Sequence, residues 1–583
     1  MNDLDSDRGI FLISIFRYIL MKLIYKEKYD VIEKSMSDSN IGARKQKNIR
    51  NHIFIVNSII HDVLLKKSNK PIDIMVLDYK QMFDSECLFE CMNDVYEAGV
   101  QDDIFALLCE ANKKSYVAVQ TPNGLSRRDL FENIVMQGDV LAPLVSSLQV
   151  DTIGKECWEE EKHLYFFKNK VPIGPLGMVD DLLTISECGY KTEKMNQYIN
   201  FKTGAKRLQF GTSKCIKMHV GKSRSEDLCK DLFVNGWTVE VETDPDTGFS
   251  SQTDVFTGKE KMEVKQEQLY LGDLLAADGT HTKNVQLRRS KGIGVINQIM
   301  QILSSTYFGK YFFEIAMVLR ESLLLSSLLL NSEAWVNYSV QDLRILEQCD
   351  EILLTKVLDC DANTSNALKY LDLGVMPIRF EVMKRKLTFL QYILLQDKNS
   401  MMYQVLKTTE ENPSKNDFVQ TCLKYLKTLD IDLTFEQISK MSKQSFKTVL
   451  KQKTKISALK YLNKEKATQS KILNIDHQKL VMQEYLLDSD RNLKVPKLIF
   501  KARSKTLDIK TQKRWKYEDL LCSGCMVNEE SGDEILFCKM FGENSDIISY
   551  SWFYSESAQK QVDAAKLMMV KLERRKRIRE EVT

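Results

Sequence analysis

Two short apolar stretches that meet carboxylates constrain this chain more than any other feature. In "LGMVDDLLTIS", residues 176–186, two adjacent aspartates interrupt a run of strand-like composition. "PLGMV" and "LLTIS" read as two short strands of a hairpin whose tip carries Asp180 and Asp181. In "IDIMVLD", Ile72 to Leu77 reads as a buried strand ending at Asp78. Aspartates favour turns, and an exposed tip would solvate the pair with no further role. Neighbouring antiparallel strands would, however, bring Asp78 close to that tip. Three carboxylates gathered at strand ends repel one another, and a divalent cation is the simplest neutraliser. All-oxygen ligation favours Mg2+ or Mn2+ over zinc. Two such ions about 4 Å apart would activate a 3′-hydroxyl and stabilise a leaving pyrophosphate during in-line phosphoryl transfer.

The chain has 583 residues, too many for one compact core, so two to four domains are expected. A net charge of only +3 leaves any nucleic-acid footprint to local clusters. Thirteen cysteines, scattered without the spacing of a disulfide scaffold, point to a reducing compartment and an intracellular protein. The most membrane-like segment, "GIFLISIFRYILMKLI", is broken by Arg17 and Lys22 and is too short between charges to span a bilayer. Acids and Arg8 precede it, and it lacks a small-residue cleavage site, so it is a poor signal peptide as well. It reads as a buried helix, and no membrane partner is expected.

Residues 1–70 read as mostly helical, with a helix from about Phe11, a loop "MSDSNIGARKQKN" and a second helix "IRNHIFIVNSIIHDVLL". From Ser85 to Cys109 the pattern is again helical. "SYVAVQT" and "RRDLFENIVM" form a strand pair around "PNGLS", and "QGDVLAPLVSSLQVDTIG" opens a helix. "LFVNGWTVEV" reads as a hairpin around Asn235-Gly236, and "EQLYLGDLLAADGTH" as a further strand-rich segment. Strands then stop: residues 284–396 read as helical, and residues 400–583 are rich in lysine.

Taken in order, these segments resemble the motifs of a reverse transcriptase of the non-LTR, LINE-like retrotransposon kind, truncated at its N-terminus. "LDYKQMFDS" resembles the first catalytic motif, "MQGDVLAPL" the second, "GMVDDLL" the third, "LQFGTSKCIKM" the fourth and "YLGDLLAADG" the fifth; the match covers roughly residues 5–290. Upstream, "DRGIFLISIFRYILMKLI" and "SNIGARK" resemble fingers segments, and "LLLNSEAW" and "LDLGVMPIRFEVMKRKLTFL" resemble the helical region downstream.

The resemblance implies an α+β right-hand polymerase fold: fingers in residues 1–70, a palm with interleaved fingers elements in 71–283, a helical thumb in 284–400 and a lysine-rich extension in 401–583. It implies RNA-directed DNA synthesis by two-metal phosphoryl transfer, with an RNA template, a DNA primer and dNTPs as partners. Asp78, Asp180 and Asp181 would hold Mg2+, with Mn2+ an alternative, and Lys214 would protonate the departing pyrophosphate. Arg8 would contact the triphosphate, Phe83 would exclude a ribose 2′-hydroxyl, and Gln137 and Gly138 would shape the nucleotide pocket. Tyr270, Leu271 and Gly272 fall in the hairpin that grips the primer.

Two features depart from the family. Met178 stands where the third motif carries Tyr or Phe, and no endonuclease signature is recognised at either end. Cys522, Cys525 and Cys538 resemble a degenerate zinc-knuckle-like element across 522–538, but where the family has His this chain offers Asp533 or Glu534. The alternative is a set of reduced cysteines in a small helical subdomain. Lysines between Lys440 and Lys479, interleaved with Phe446 and Tyr461, read as a solvated helical face or as a contact for backbone phosphates. "KLERRKRIREE" reads as a nuclear-targeting or RNA-binding helix, which leaves nucleus and cytoplasm both open. The rival function is a transposon-derived protein that binds nucleic acid without catalysis.

Overall fold

The computed structural model describes residues 12–582 except 66–69, 114, 119, 122–123, 128, 132–137, 160–163, 188, 223–230, 244–249, 257, 469–476, 488–492, 514–515, 517–518, 543–547 and 556. The chain is a mixed α/β structure, predominantly helical, that divides into two compact units. The first contains residues up to His281 with Ala334–Asn337 and Leu395–Gln420; the second contains Thr282–Glu333, Tyr338–Leu394 and Thr421–Thr583.

Unit 1 opens with α1 (Ile15–Ser35), α2 (Ile49–Leu65) and β1 (Ile72–Asp78), followed by α3 (Met82–Ser85), α4 (Leu88–Glu97) and α5 (Asp103–Lys113). β2 (Ser115–Val117), β3 (Gln120–Thr121), β4 (Gly124–Leu125) and β5 (Asp129–Phe131) form nested pairs, β2 with β5 and β3 with β4. α6 (Ala142–Glu159) leads through β6 (Tyr165–Phe167) and β7 (Val171–Ile173) to the hairpin of β8 (Leu176–Met178) and β9 (Asp181–Glu187). After α7 (Tyr190–Ala205) come β10 (Ile216–Val220), β11 (Phe233–Val234), β12 (Trp237–Thr243), β13 (Ser250–Phe256), β14 (Glu260–Lys261), β15 (Glu263–Val264), β16 (Glu267–Tyr270) and β17 (Asp273–Ala276).

The principal sheet has the order β15-β10-β1-β9-β8, and only the β10–β15 pair is parallel. β1 is buried on both faces up to Leu77, which accounts for its unbroken apolar run. Met75 and Leu77 share a core with Leu182, with Val150 and Ile153 of α6, and with Met195 and Ile199 of α7. By strand alternation Asp78 falls on the opposite face, in line with Ile74 and Val76.

Unit 2 is helical among the described residues: α8 (Thr282–Ser305), α9 (Phe312–Leu319), a π-turn at Arg320–Leu324, α10 (Leu325–Leu328), α11 (Val340–Leu358), α12 (Asn366–Leu373) and α13 (Ile378–Leu394). α14 (Met401–Glu411) belongs to unit 1, and α15 (Phe418–Thr428) spans the division. α16 (Phe435–Lys440), α17 (Lys443–Ala467), α18 (Glu484–Leu487), α19 (Lys494–Arg503), α20 (Gly532–Phe537) and α21 (Ala558–Val582) complete unit 2.

Two buried carboxylates organise that unit. Arg320 donates from Nε and a terminal nitrogen to Asp350, each at 2.7 Å, and the Tyr370 hydroxyl also donates to Asp350. Asp372 accepts from His477 Nε2 at 2.7 Å, the Tyr485 hydroxyl at 2.7 Å and Arg503 Nε at 3.0 Å. Buried charges are tolerable when every lone pair is so matched. The hub fastens the chain after residue 477 onto α12.

Several local expectations change. α1 starts at Ile15 rather than near Phe11 and is not a buried helix: Met21, Ile24, Tyr29 and Ile32 face the core, while Ile15, Phe16, Ile19 and Leu23 are exposed. The helical stretch from Ser85 breaks at 98–102, so that α4 and α5 are separate. Asn235-Gly236 does not close a hairpin, because β11 pairs with β14 and β12 with β13. Phe446 is fully buried, which removes it as a surface aromatic. In the basic C-terminal helix, Arg575 is buried against Glu530, and Arg579 bonds the same carboxylate. Among the described residues no helix is long and apolar enough to cross a membrane.

Candidate active site

The register of the sheet sets the geometry of the acids. β1 and β9 are antiparallel, with Asp78 directly opposite Asp181; on its other side Asp181 faces Met178. The Tyr79 N–H donates to the Asp180 carbonyl at 3.3 Å. That bond brackets Asp78 and Asp181 as a pair with no hydrogen bond between them, the closer type, with Cα atoms about 4.5 Å apart and side chains on one face. Only Asp180 lies in the turn, since Asp181 already belongs to β9. Val179 turns the chain at a φ of 54°, costly for a β-branched residue and of order 1–3 kcal/mol.

Like charges directly opposite one another on a sheet are destabilising. Burial and the neighbouring Asp180 and Asp78 push the Asp181 carboxyl up to about 6, while Lys214 acts the other way. Lys214 Nζ lies 3.0 and 3.2 Å from the two carboxylate oxygens of Asp78. Its segment is fastened to the end of β1: the Gly211 N–H donates to the Asp78 carbonyl, and the Lys80 N–H to the Gln209 carbonyl, each at 2.8 Å. Asn235 clamps this segment in turn, accepting from the Phe210 N–H at 2.9 Å and donating to the Phe210 carbonyl at 3.1 Å. The result is a half-buried cluster of oxygen donors with one ammonium beside it. Such a donor set fits a hard divalent cation, Mg2+ or Mn2+.

The loop at 36–48 reaches the same turn. Asn40 bridges to Gly177, with the Ile41 N–H donating to the Gly177 carbonyl at 2.9 Å and the Gly177 N–H to the Ser39 carbonyl at 3.1 Å. The Asn40 amide donates to the Ser147 carbonyl, and its oxygen accepts from the Gly42 N–H and the Ser147 hydroxyl. A Cβ on Gly42 would lie 2.1 Å from Ser147 Oγ and 2.6 Å from the Val179 nitrogen. Only glycine lets the loop pass so close to the turn that carries Asp180. This support was not read from the sequence, although the Asn-Ile-Gly run was its visible trace.

Other candidate residues are placed as follows. Phe83 is half-buried on α3 and packs against the cluster formed by α1, α4 and the start of α6. Gly138 is exposed at a φ of 107°, before the N-terminus of α6. Arg8 and Gln137 lie outside the described residues. Arg17, read only as a charge interrupting an apolar run, donates to Asp139 at 3.0 Å and to the Ala111 carbonyl at 2.7 Å, which ties α1 to α5 and to the start of α6.

The Tyr270 ring is buried and stacks on His52, so the tip of its hairpin is left to the half-buried Leu271 and Gly272. Burial lowers the His52 imidazole to about 4, so it is neutral at pH 7. Its Nε2 is 2.9 Å from the Ser39 carbonyl, which can only accept; Nε2 therefore carries the proton, and Nδ1 accepts from the Tyr270 hydroxyl at 2.9 Å.

In unit 2, one ligand atom from each of Cys522, Cys525, Glu534 and Cys538 lies within 4.8 Å of all the others. Glu534 rather than Asp533 occupies the fourth position, and its second oxygen accepts from the Asn528 amide at 3.0 Å. Three thiols and a carboxylate, with the carboxylate oriented by an outer hydrogen bond, fit tetrahedral zinc.

No protein-family model matches the chain, and no curated protein matches it. Solved structures similar to it include telomerase from Candida albicans with a TWJ fragment of telomeric RNA, at 12% identity and a TM-score of 0.31, covering 70% of this chain and 56% of that one. Apo telomerase from Candida tropicalis matches at 11% identity and a TM-score of 0.31, covering 75% and 62%. A form of the latter truncated from its C-terminal domain matches at 14% identity and a TM-score of 0.27, covering 41% and 45%. The chain thus spans about half the length of the structures it matches. Likeness of this extent carries no conclusion about activity, and the functional reading rests on the carboxylates.

Proposed function

We propose that unit 1 is the core of a nucleic-acid polymerase of right-hand architecture, and that it extends a primer 3′-end with deoxynucleotides on an RNA template. The observation that carries this reading is the close cross-strand pair of Asp78 and Asp181 with Asp180 in the adjoining turn. A fold stores this much like charge in one place for a cationic ligand. Asp78, Asp180 and Asp181 would hold two Mg2+ ions. When bound, the ions lower the pKa of the attacking hydroxyl and neutralise charge on the leaving pyrophosphate.

The chain's own groups have separate tasks. Lys214, beside Asp78, would donate a proton to a departing phosphate oxygen. Phe83 would crowd the 2′-position of an incoming sugar, and Gly138 and Gln137 would border the base pair. Arg8 would hold the triphosphate, and Leu271 and Gly272 would press on the primer. An origin in a LINE-like retrotransposon accords with the order of the motifs.

A second reading, nucleic-acid binding without synthesis, is favoured by Met178, which puts a flexible apolar side chain beside Asp181 where an aromatic is expected. Templated extension separates the two. Purified protein with Mg2+, a primer and an RNA template is expected to incorporate dNTPs and to reject rNTPs, and Phe83→Val to admit rNTPs. Absence of any incorporation where a control reverse transcriptase extends the same primer would favour the second reading.

A further inference from the structure

α17 carries eight lysines, at 443, 447, 451, 453, 455, 460, 464 and 466, against the single acid Glu465. Four of them, Lys443, Lys447, Lys451 and Lys455, recur at every fourth position, and all four are exposed. None of the four makes an ion pair among the described residues, whereas Lys453 is paired with Asp430. Like charges four residues apart on a helix repel by about 0.2–0.5 kcal/mol per pair. The row is therefore a standing cost to the isolated chain, whose overall charge is otherwise nearly balanced at +3.

The core-facing side of the helix also repeats every four residues, through Phe446, Leu450, Thr454, Ala458 and Leu462. Lys447, Lys451 and Lys455 each follow one of these by a single residue, a rotation of about 100°. The buried row and the lysine row drift around the helix together, so the ammonium groups keep a constant angle to the packed face. They form a ridge inclined to the helix axis, winding by about 40° per step, with an axial repeat of about 6 Å and an axial length of about 18 Å. That repeat is comparable to the interval between successive phosphates of an extended strand.

We propose that this ridge is a track for the phosphodiester backbone of single-stranded nucleic acid, engaging about one phosphate per lysine. It extends the polymerase reading by naming a second contact on the same kind of partner, and does not depend on the Asp78 cluster. Loss of that reading through failed extension would leave the ridge untouched.

The test uses the full chain carrying K443Q/K447Q/K451Q/K455Q. Glutamine keeps helix propensity, and circular dichroism is expected to match the parent. Binding of short fluorescein-labelled single-stranded RNA, and of DNA of the same sequence, is followed by anisotropy across a series of KCl concentrations. A single strand contributes a slope of about −0.7 in log K against log salt for each neutralised phosphate, so the variant is expected to lose about 3 units of slope. Loss on both oligonucleotides marks a backbone contact common to them, and loss on one identifies the strand. The control K291Q/K539Q/K560Q/K566Q removes the same charge from exposed positions of unit 2 and is expected to keep the parent slope. An unchanged slope in the ridge variant, or an equal loss in the control, would overturn the proposal. So would ridge-dependent binding to phosphatidylserine vesicles with none to either oligonucleotide.

Discussion

Gly42→Ala isolates the contact between the loop at 36–48 and the aspartate turn. The added Cβ would sit 2.1 Å from Ser147 Oγ and 2.6 Å from the backbone nitrogen of Val179. Rotating the Ser147 hydroxyl away relieves the first clash but not the second, because a backbone nitrogen moves only with its turn. Overpacking of this kind costs about 1–3 kcal/mol, and in a domain of this size each kcal/mol lowers Tm by about 2–4 °C. The loop must withdraw, or Val179 and with it Asp180 must shift. A thermal melt of the full chain and a primer-extension assay on the same preparation read the two consequences together. The expected result is a lower Tm with extension reduced further than Ser147→Ala reduces it, since Ser147→Ala removes a hydrogen bond without moving the turn. A Gly42→Ala protein with parental Tm and parental extension would refute the claim that this loop positions the turn.

Glu86 is fully buried beside Ser146, and burial pushes its carboxyl from 4.5 to about 8. Its contribution to stability is fully present below about 4.5 and is lost as pH rises through 8; Glu86→Gln should flatten the fall in Tm between pH 6 and 9, and parallel profiles would contradict this. Asp372→Asn leaves Arg503 and His477 without their buried carboxylate, so unit 2 should lose about 3–5 kcal/mol in urea unfolding, and a loss below 1 kcal/mol would contradict the hub. Protein purified with zinc should hold one equivalent by elemental analysis. Cys538→Ser should lose the metal and Glu534→His should keep it; equal zinc in parent and Cys538→Ser would exclude the Cys522, Cys525, Glu534 and Cys538 cluster as its site.

The sequence was most legible where side-chain patterning is local. β1 and the β8–β9 hairpin announce themselves by apolar runs that stop at charges, and α6 and α8 by helical periodicity. Contacts between distant segments were not legible. Gly42 against Val179, the His52–Tyr270 pair and the Asp372 hub join residues far apart in the chain, and nothing local marks them. The exposed flank of α1 has the same origin, because its apolar residues are sufficient for burial and only the tertiary packing decides which of them are covered. Asn235-Gly236 misled because two residues at positive φ turn the chain whether or not the flanking strands pair; here Asn235 clamps Phe210 instead. Within the candidate site, the clustering of acids at strand ends could be read, but the bond from Tyr79 that makes Asp78 and Asp181 a close pair is visible only in the structure.

The central claim is that these carboxylates perform nucleotidyl transfer. It is tested most directly by single-nucleotide incorporation on an RNA template in Mg2+, comparing the parent with Asp78→Asn and Asp180→Asn variants whose melting profiles confirm that they fold. The account predicts template-encoded incorporation by the parent and a loss of at least a thousandfold in either variant. Incorporation by Asp78→Asn or Asp180→Asn at the parental rate would contradict it.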